Sequence, residues 1–247
     1  MQIGKAAEPV SHISQAYPDR VEVRGRDLTG DLMGRLSFTE YFYLLLTGGE
    51  PNEEQRFFLD LLLVAIAEHG MMPSNVAARM TLAADPGSLQ GAVAAGILGC
   101  GPVVLGTSEE CAKVLRDPRE PGEIAREIRA VKGKLPGFGH HVHKPLDPRA
   151  ERILELADAH GVSGEYVARA REFATAAEEA WGRPLTMNVS MPIAAVLLDL
   201  GFPDTAVKAV PILARTASLL AHLAEEQGNP VGFLMAAHAE DAIEYSP

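Results

Sequence analysis

Clean alternation of apolar and polar residues, the mark of a half-buried strand, occurs in this chain only at Val21-Glu22-Val23-Arg24. The other periodic segments repeat at helical spacing, and each is bounded by residues that start or stop helices. Ser37-Phe38-Thr39-Glu40 is a capping box, in which Ser37 can accept from the Glu40 amide while the Glu40 carboxylate reaches back. The apolar run it opens stops at Gly48. Pro51-Asn52-Glu53-Glu54 opens a second helix, with acids where the dipole favours them, and carries Phe57, Phe58, Leu61, Leu62, Ala65 and Ile66 toward Gly70. Further helices are expected over 74–84, 88–99, 108–116 and 123–131. Asp147-Pro148 supplies a cap and a first-turn proline for a helix ending near Gly161. Ser163 is expected to cap the next, which runs to about Trp181. The last runs from Asp204 to Gln227, with Pro211 in its first turn or at a kink. These signals predict an all-α chain.

Three connections remain, over 99–107, 133–146 and 182–189, each rich in Gly, Pro or His. Binding and catalytic groups concentrate on such segments. With 247 residues, 47% of them hydrophobic and 22% charged, the chain can bury one large core or two smaller ones. A net charge of −11 argues against a nucleic-acid or anionic-membrane binder, although a few local arginines can still hold small anions. Cys100 and Cys111 have no CxxC partner and read as free thiols of a reducing cytoplasm. No run of about 18 apolar residues occurs, so neither a membrane span nor a membrane partner is expected.

The strongest local signal is Lys134-Leu135-Pro136-Gly137-Phe138-Gly139-His140-His141-Val142-His143-Lys144, followed by Asp147-Pro148-Arg149-Ala150. It resembles the citrate synthase motif, in which a Pro-Gly-Phe-Gly-His loop precedes a Val, a Lys and an Asp-Pro-Arg helix start. Other blocks follow in the family's order. Arg24-Gly25-Arg26-Asp27-Leu28 and Leu45-Leu46-Thr47-Gly48-Gly49-Glu50-Pro51 are similar to the opening of short citryl-CoA lyase-like members. Glu68-His69-Gly70, Asn188-Val189 and Arg215 with Ala221-His222 complete the match, which runs from about Val21 to His222. The resemblance implies a citrate synthase-like all-α fold: a large helical domain of residues 1–106 and 201–247, a smaller one of 107–200, and a homodimer.

It also implies a chemistry, the joining or cleaving of a carbon–carbon bond between an acyl-CoA thioester and a 2-oxo acid. No cofactor is expected beyond coenzyme A as part of the substrate. His140 matches the histidine that activates the ketone, and His69 one that binds the oxo acid. Arg149 and Arg215 match its carboxylate clamps, a task suited to the planar guanidinium fork. Leu135, Gly137, Phe138 and Gly139 match the coenzyme A loop, with Lys134 and Lys144 as candidate phosphate contacts. Two positions depart from the family. Where it has Gly-Pro-x-His-Gly-Gly-Ala-Asn, this chain reads Gly101-Pro102-Val103-Val104-Leu105-Gly106-Thr107-Ser108, so the enolate-stabilising histidine is Val104. The aspartate of Asn-Val-Asp is Ser190. Valine donates no hydrogen bond and an unactivated serine is a poor base.

Without the resemblance these residues have plainer readings. His69 would compensate a helix dipole, Arg149 and the lysines would face solvent, and Ser190 would cap a helix ahead of Pro192. Arg215, on a mostly apolar helix face, needs an anionic partner if it is buried. His140, His141 and His143 lack a carboxylate or Cys at companion spacing, so no metal is expected. Two functions remain open: a lyase or synthase with altered proton chemistry, and a catalytically inactive metabolite-binding or regulatory homodimer.

Overall fold

The computed structural model describes residues 9–246 apart from Pro102 and Gly106; residues 1–8 and those two members of the 101–108 motif lie outside the described residues. The chain forms two compact units that meet in sequence at Asp60 and Leu61.

The first unit holds a small antiparallel sheet of β1 (Ser14–Ala16), β2 (Val21–Val23) and β3 (Arg26–Asp27). β2 is the alternating segment read from the sequence. β1 was not legible because all three of its residues are exposed and carry no pattern. Arg24 and Gly25 both have positive φ, as a two-residue hairpin between paired Val23 and Arg26 requires. A π-type turn over Leu28–Leu32 follows, capped by the Asp27 carboxylate. The capping box of α1 (Phe38–Thr47) is formed in both directions, and Gly48 closes the helix in the left-handed conformation. Val23, Leu32 and Leu44 form this unit's core.

Helix α2 (Glu53–Ala67) carries the chain into the second unit. There follow α3 (Pro73–Ala84), α4 (Leu89–Leu98), α5 (Thr107–Arg116), α6 (Pro121–Ala130), α7 (Pro148–Ala159), α8 (Glu165–Trp181), α9 (Ser190–Asp199), α10 (Asp204–Gly228) and α11 (Gly232–Ala242). The molecule is all-α apart from the small sheet. α3, α4 and α10 close around Ala78, Leu82, Ala92, Leu219 and Leu223. Gly96 permits the approach of α10, since a Cβ there would lie 2.7 Å from the Leu219 methyls. α9 is buried from Ser190 to Leu198, against α5, α7, α8 and α10. It is apolar all round and so shows no amphipathic stripe, which left the Ser190-Pro192 start as its one sequence sign. Among the described residues α10 alone is long and apolar enough to cross a membrane, but it packs here as a core helix against α3, α4, α5 and α9.

Two helix ends are held differently from the sequence expectation. α2 ends at Ala67 rather than near Gly70, because the amides of His69 and Gly70 donate to the Glu68 carboxylate instead of to the preceding turn. Ser163 does not cap α8. Its hydroxyl donates to Asp158, while the Gly164, Tyr166 and Val167 amides donate to Asp199 at the end of α9. A full carboxylate accepting three amides at a positive helix end outcompetes one hydroxyl. Of the two placements expected for Pro211, the one inside α10 is found rather than the first turn, and α11 had no clear sequence signal.

Candidate active site

All three connections left over by the helix pattern contribute to one cavity of about 800 Å³ in the second unit. The glycine loop and the 182–189 loop are stitched together by backbone. Gly139 N–H donates to Thr186 O at 2.7 Å, Asn188 N–H to Gly137 O at 2.8 Å, and the Asn188 amide group to Gly139 O at 3.1 Å. Gly137 has φ +79°, and a Cβ there would stand 2.8 Å from the Met191 Cβ and 2.9 Å from the Cys111 sulfur. Only glycine fits at this crossing.

The candidate acid-binding side chains converge. His69, His140, Arg149 and Arg215 all line the cavity, together with Lys134, Leu135, Gly137, Phe138 and Gly139. Lys144 is exposed and is not among the lining residues. Val104 and Ser190 line it too, so the two altered positions face the same space as the retained cations. Ser190 is the first residue of α9 rather than its cap, and donates its backbone N–H to Asn188 Oδ1.

Arg215 is 2% exposed, yet its hydrogen bonds go to neutral acceptors: Asn75 Oδ1 at 3.2 Å and, at 3.5 Å, the Ile66 carbonyl. Its Nε has no partner among the described residues. Burial lowers its pKa, and Glu68 acts only at a distance to offset this. A buried guanidinium in this state is held ready for an anion from outside. Arg149 differs. Its Nε and Nη2 donate to the two oxygens of the fully buried Asp147 at 3.0 and 2.8 Å. Asp147 also accepts the Arg149 and Val189 amides. Burial alone would raise the Asp147 pKa, but Arg149 and these amides outweigh it and hold the carboxyl below its ordinary value. The residue read as a helix cap is thus also the support of Arg149.

Two backbone amides, of Val142 and His143, donate to His140 Nδ1 at 3.1 and 2.9 Å. A 3.5 Å approach of Arg149 Nη2 to His140 Nε2 would ask that nitrogen to accept as well. A neutral ring has one acceptor, and the two shorter amide bonds decide which. Desolvation, then the neighbouring His143, push the His140 pKa down to about 4, despite the opposing pull of Asp147. His140 is therefore neutral near pH 7 with its proton on Nε2, an uncharged donor set beside two arginines. Burial, then Arg149, lower the His69 pKa in the same direction. Glu68 fixes the His69 turn. It accepts from the Ser218 hydroxyl at 2.6 Å and from His222 Nε2 at 3.0 Å, besides the His69 and Gly70 amides. Burial would raise the Glu68 pKa, and these bonds lower it.

The donor nitrogens of His69, His140 and His143 lie within 4.8 Å of one another, close enough to hold a metal ion. The companion missing from the sequence spacing is His69, far upstream. The charge balance favours an anion over a cation here: the His140 Nδ1 lone pair is already committed to two amides, and Arg149 and Arg215 share the cavity. His141, stacked on His140 at 4.9 Å, also lines the cavity, as do Glu110, Trp181 and Arg183. No local motif marks Glu110 or Trp181, which sit on helices, while Arg183 lies on the 182–189 connection.

Fold and site together define an all-α protein with a cationic cavity beneath a glycine-rich loop. The family model for the citrate synthase C-terminal domain matches residues 11–232, and the chain belongs to that family. It is 32% identical over 222 residues to the citrate synthase-like protein oryE of Aspergillus oryzae, covering 83% of this chain and 49% of that protein. It is 33% identical over 212 residues to the glyoxysomal citrate synthase of Cucurbita maxima, covering 79% and 40%. The chain thus spans half or less of the length of these relatives. The solved citryl-CoA lyase of Hydrogenobacter thermophilus superposes with a TM-score of 0.86 at 31% identity, covering 100% of this chain and 95% of that one.

Proposed function

We propose that this chain is a carbon–carbon lyase or synthase of the citrate synthase and citryl-CoA lyase type, acting on an acyl-CoA thioester and a 2-oxo acid with altered proton chemistry. The observation that carries this reading is Arg215, a buried cation on the cavity wall whose hydrogen bonds reach only neutral acceptors. A carboxylate of the oxo acid supplies the missing charge, and Arg149 and His69 hold the rest of the acid. His140 Nε2–H donates to the ketone oxygen, or to the alkoxide that becomes it, without bringing another charge. Leu135 to Gly139 present backbone to the coenzyme A moiety, with Lys134 near its phosphates.

Val104 and Ser190 remove the enolate donor and the aspartate base, so ordinary citrate synthesis is not the expected activity. Cleavage of a 3-hydroxy acyl-CoA, whose acidic proton is on oxygen, tolerates the missing base better than deprotonation of acetyl-CoA does. Coenzyme A enters as substrate, with no resident cofactor. We place the protein in the cytoplasm as a homodimer through a large domain of residues 1–106 and 201–247, with 107–200 as the small domain. The inactive metabolite-binding alternative has no specific observation in its favour. Calorimetric titration with 2-oxo acids and CoA thioesters, alongside a turnover screen of their adducts, tests the reading. Binding of neither class would overturn it.

A further inference from the structure

The loss of the usual base leaves open what moves the proton, and the structure offers one arrangement the family motif does not contain. His69 Nε2 and His143 Nε2 lie 3.1 Å apart, joining two rings that are 74 positions apart in sequence. His69 lines the cavity, and its Nδ1 makes no hydrogen bond among the described residues. His143 is half-buried on a loop whose neighbours Val142 and Lys144 are exposed. Its backbone N–H fixes the His140 tautomer, and its ring stands 4.4 Å from that of His140.

We propose that His69 and His143 form a two-ring proton relay that takes the place of the missing base, leading from the cavity to the exposed loop. This rests on the reading of the protein as a lyase or synthase of the family type. One proton lies on the axis between the two Nε2 atoms, because one ring must donate and the other accept. When His69 carries it, His69 Nδ1 is an acceptor on a ring that lines the cavity. In the cleaving direction that nitrogen takes the proton of the 3-hydroxyl as the Nε2 proton crosses to His143. The electron pair of the breaking carbon–carbon bond passes to the thioester α-carbon, and the hydroxyl oxygen becomes the ketone oxygen. As the Nε2 proton returns from His143 to His69, His69 Nδ1–H protonates the α-carbon, which leaves both rings neutral and the hydroxyl proton on carbon.

The groups that face the pair set its range. Burial opposes a cation on His69, as do Arg149 and charge on the His143 or His141 ring, and Asp147 favours one. Glu68 binds the backbone of the same turn. A ring kept neutral by these neighbours is free to accept a proton at neutral pH.

The test uses the full-length protein and His143→Gln, which keeps the backbone N–H to His140 but cannot titrate. In the wild type, nitrogen NMR of histidine should show a through-hydrogen-bond coupling between the Nε2 atoms of His69 and His143, and the substitution should abolish it. In turnover, kcat should fall by roughly 10²-fold or more with KM for the acid nearly unchanged, and imidazole should partly restore His143→Ala. Absence of that coupling in the wild type would overturn the relay even in an active enzyme. So would a change confined to KM, or stoichiometric Zn²⁺ binding that is required for turnover. A coupled pair with no turnover of any thioester would instead reject the enzymatic reading, and the relay's catalytic role with it.

Discussion

Arg79 donates from Nη1 to Glu226 Oε2 at 2.8 Å with both side chains almost wholly buried, and it contacts Glu225 and His222 as well. Arg215 is just as buried and meets no carboxylate among the described residues. One guanidinium has its counter-charge inside the fold, and the other faces the cavity. The two should respond to mutation in opposite ways.

Arg79→Met leaves Glu226 buried without its cation and should cost about 3–5 kcal/mol of stability in denaturant melts. Arg215→Met removes an uncompensated buried charge, so stability should hold or rise while affinity for a 2-oxo acid falls. Equal destabilisation by both, with acid binding retained in the Arg215 variant, would contradict the assignment.

The low His140 pKa gives a stability slope with a definite sign. The ring ionises near 6.5 in the unfolded chain and at about 4 in the folded protein. Between those values the unfolded state binds the proton first, so stability should decline as pH falls from about 6.5 and level off below about 4. His140→Gln should remove this part of the slope. Stability curves of both proteins at closely spaced pH values provide the check.

Asp147 works in the acid range. Its folded pKa lies below the ordinary 3.8, so its contribution is fully present above that value and is lost as pH falls through the lower folded pKa. Asp147→Asn should weaken the cap and release Arg149, with a cost of about 1–3 kcal/mol and looser acid binding. Intact acid affinity in this variant would show that Arg149 does not depend on Asp147 for its position.

Gly137→Ala combines a positive φ with a Cβ that meets Met191 and Cys111. A loss of about 1–3 kcal/mol is expected, together with weaker thioester binding as the loop moves away from α9. Gly25→Ala, at similar φ but with open space around its Cβ, should pay only the conformational part. A matching loss at both sites would mean that the crossing contributes nothing.

The wild-type protein should form no appreciable citrate from acetyl-CoA and oxaloacetate. Val104→His with Ser190→Asp should restore some condensation, since either missing group typically accounts for about a hundredfold in rate. The two act on one enolate and should not be summed. Wild-type citrate synthesis at ordinary rates would show that 104 and 190 are not the catalytic positions.

The sequence by itself determined most of the helices and their local punctuation. The Ser37–Glu40 box, the stop at Gly48 and the Asp147-Pro148 start are all formed, because they depend on groups a few positions apart. It also marked the three connections that line the cavity. What it left undecided were pairings set by the path of the chain: Asp199 rather than Ser163 at the head of α8, His69 against His143, and Glu226 with Arg79. Arg79 and Arg215 look alike as residues on apolar helices. Only the tertiary structure, which puts a carboxylate beside one and the cavity beside the other, separates the structural charge from the one left for a substrate, because the energy of a buried ion depends on what surrounds it and not on its neighbours in sequence.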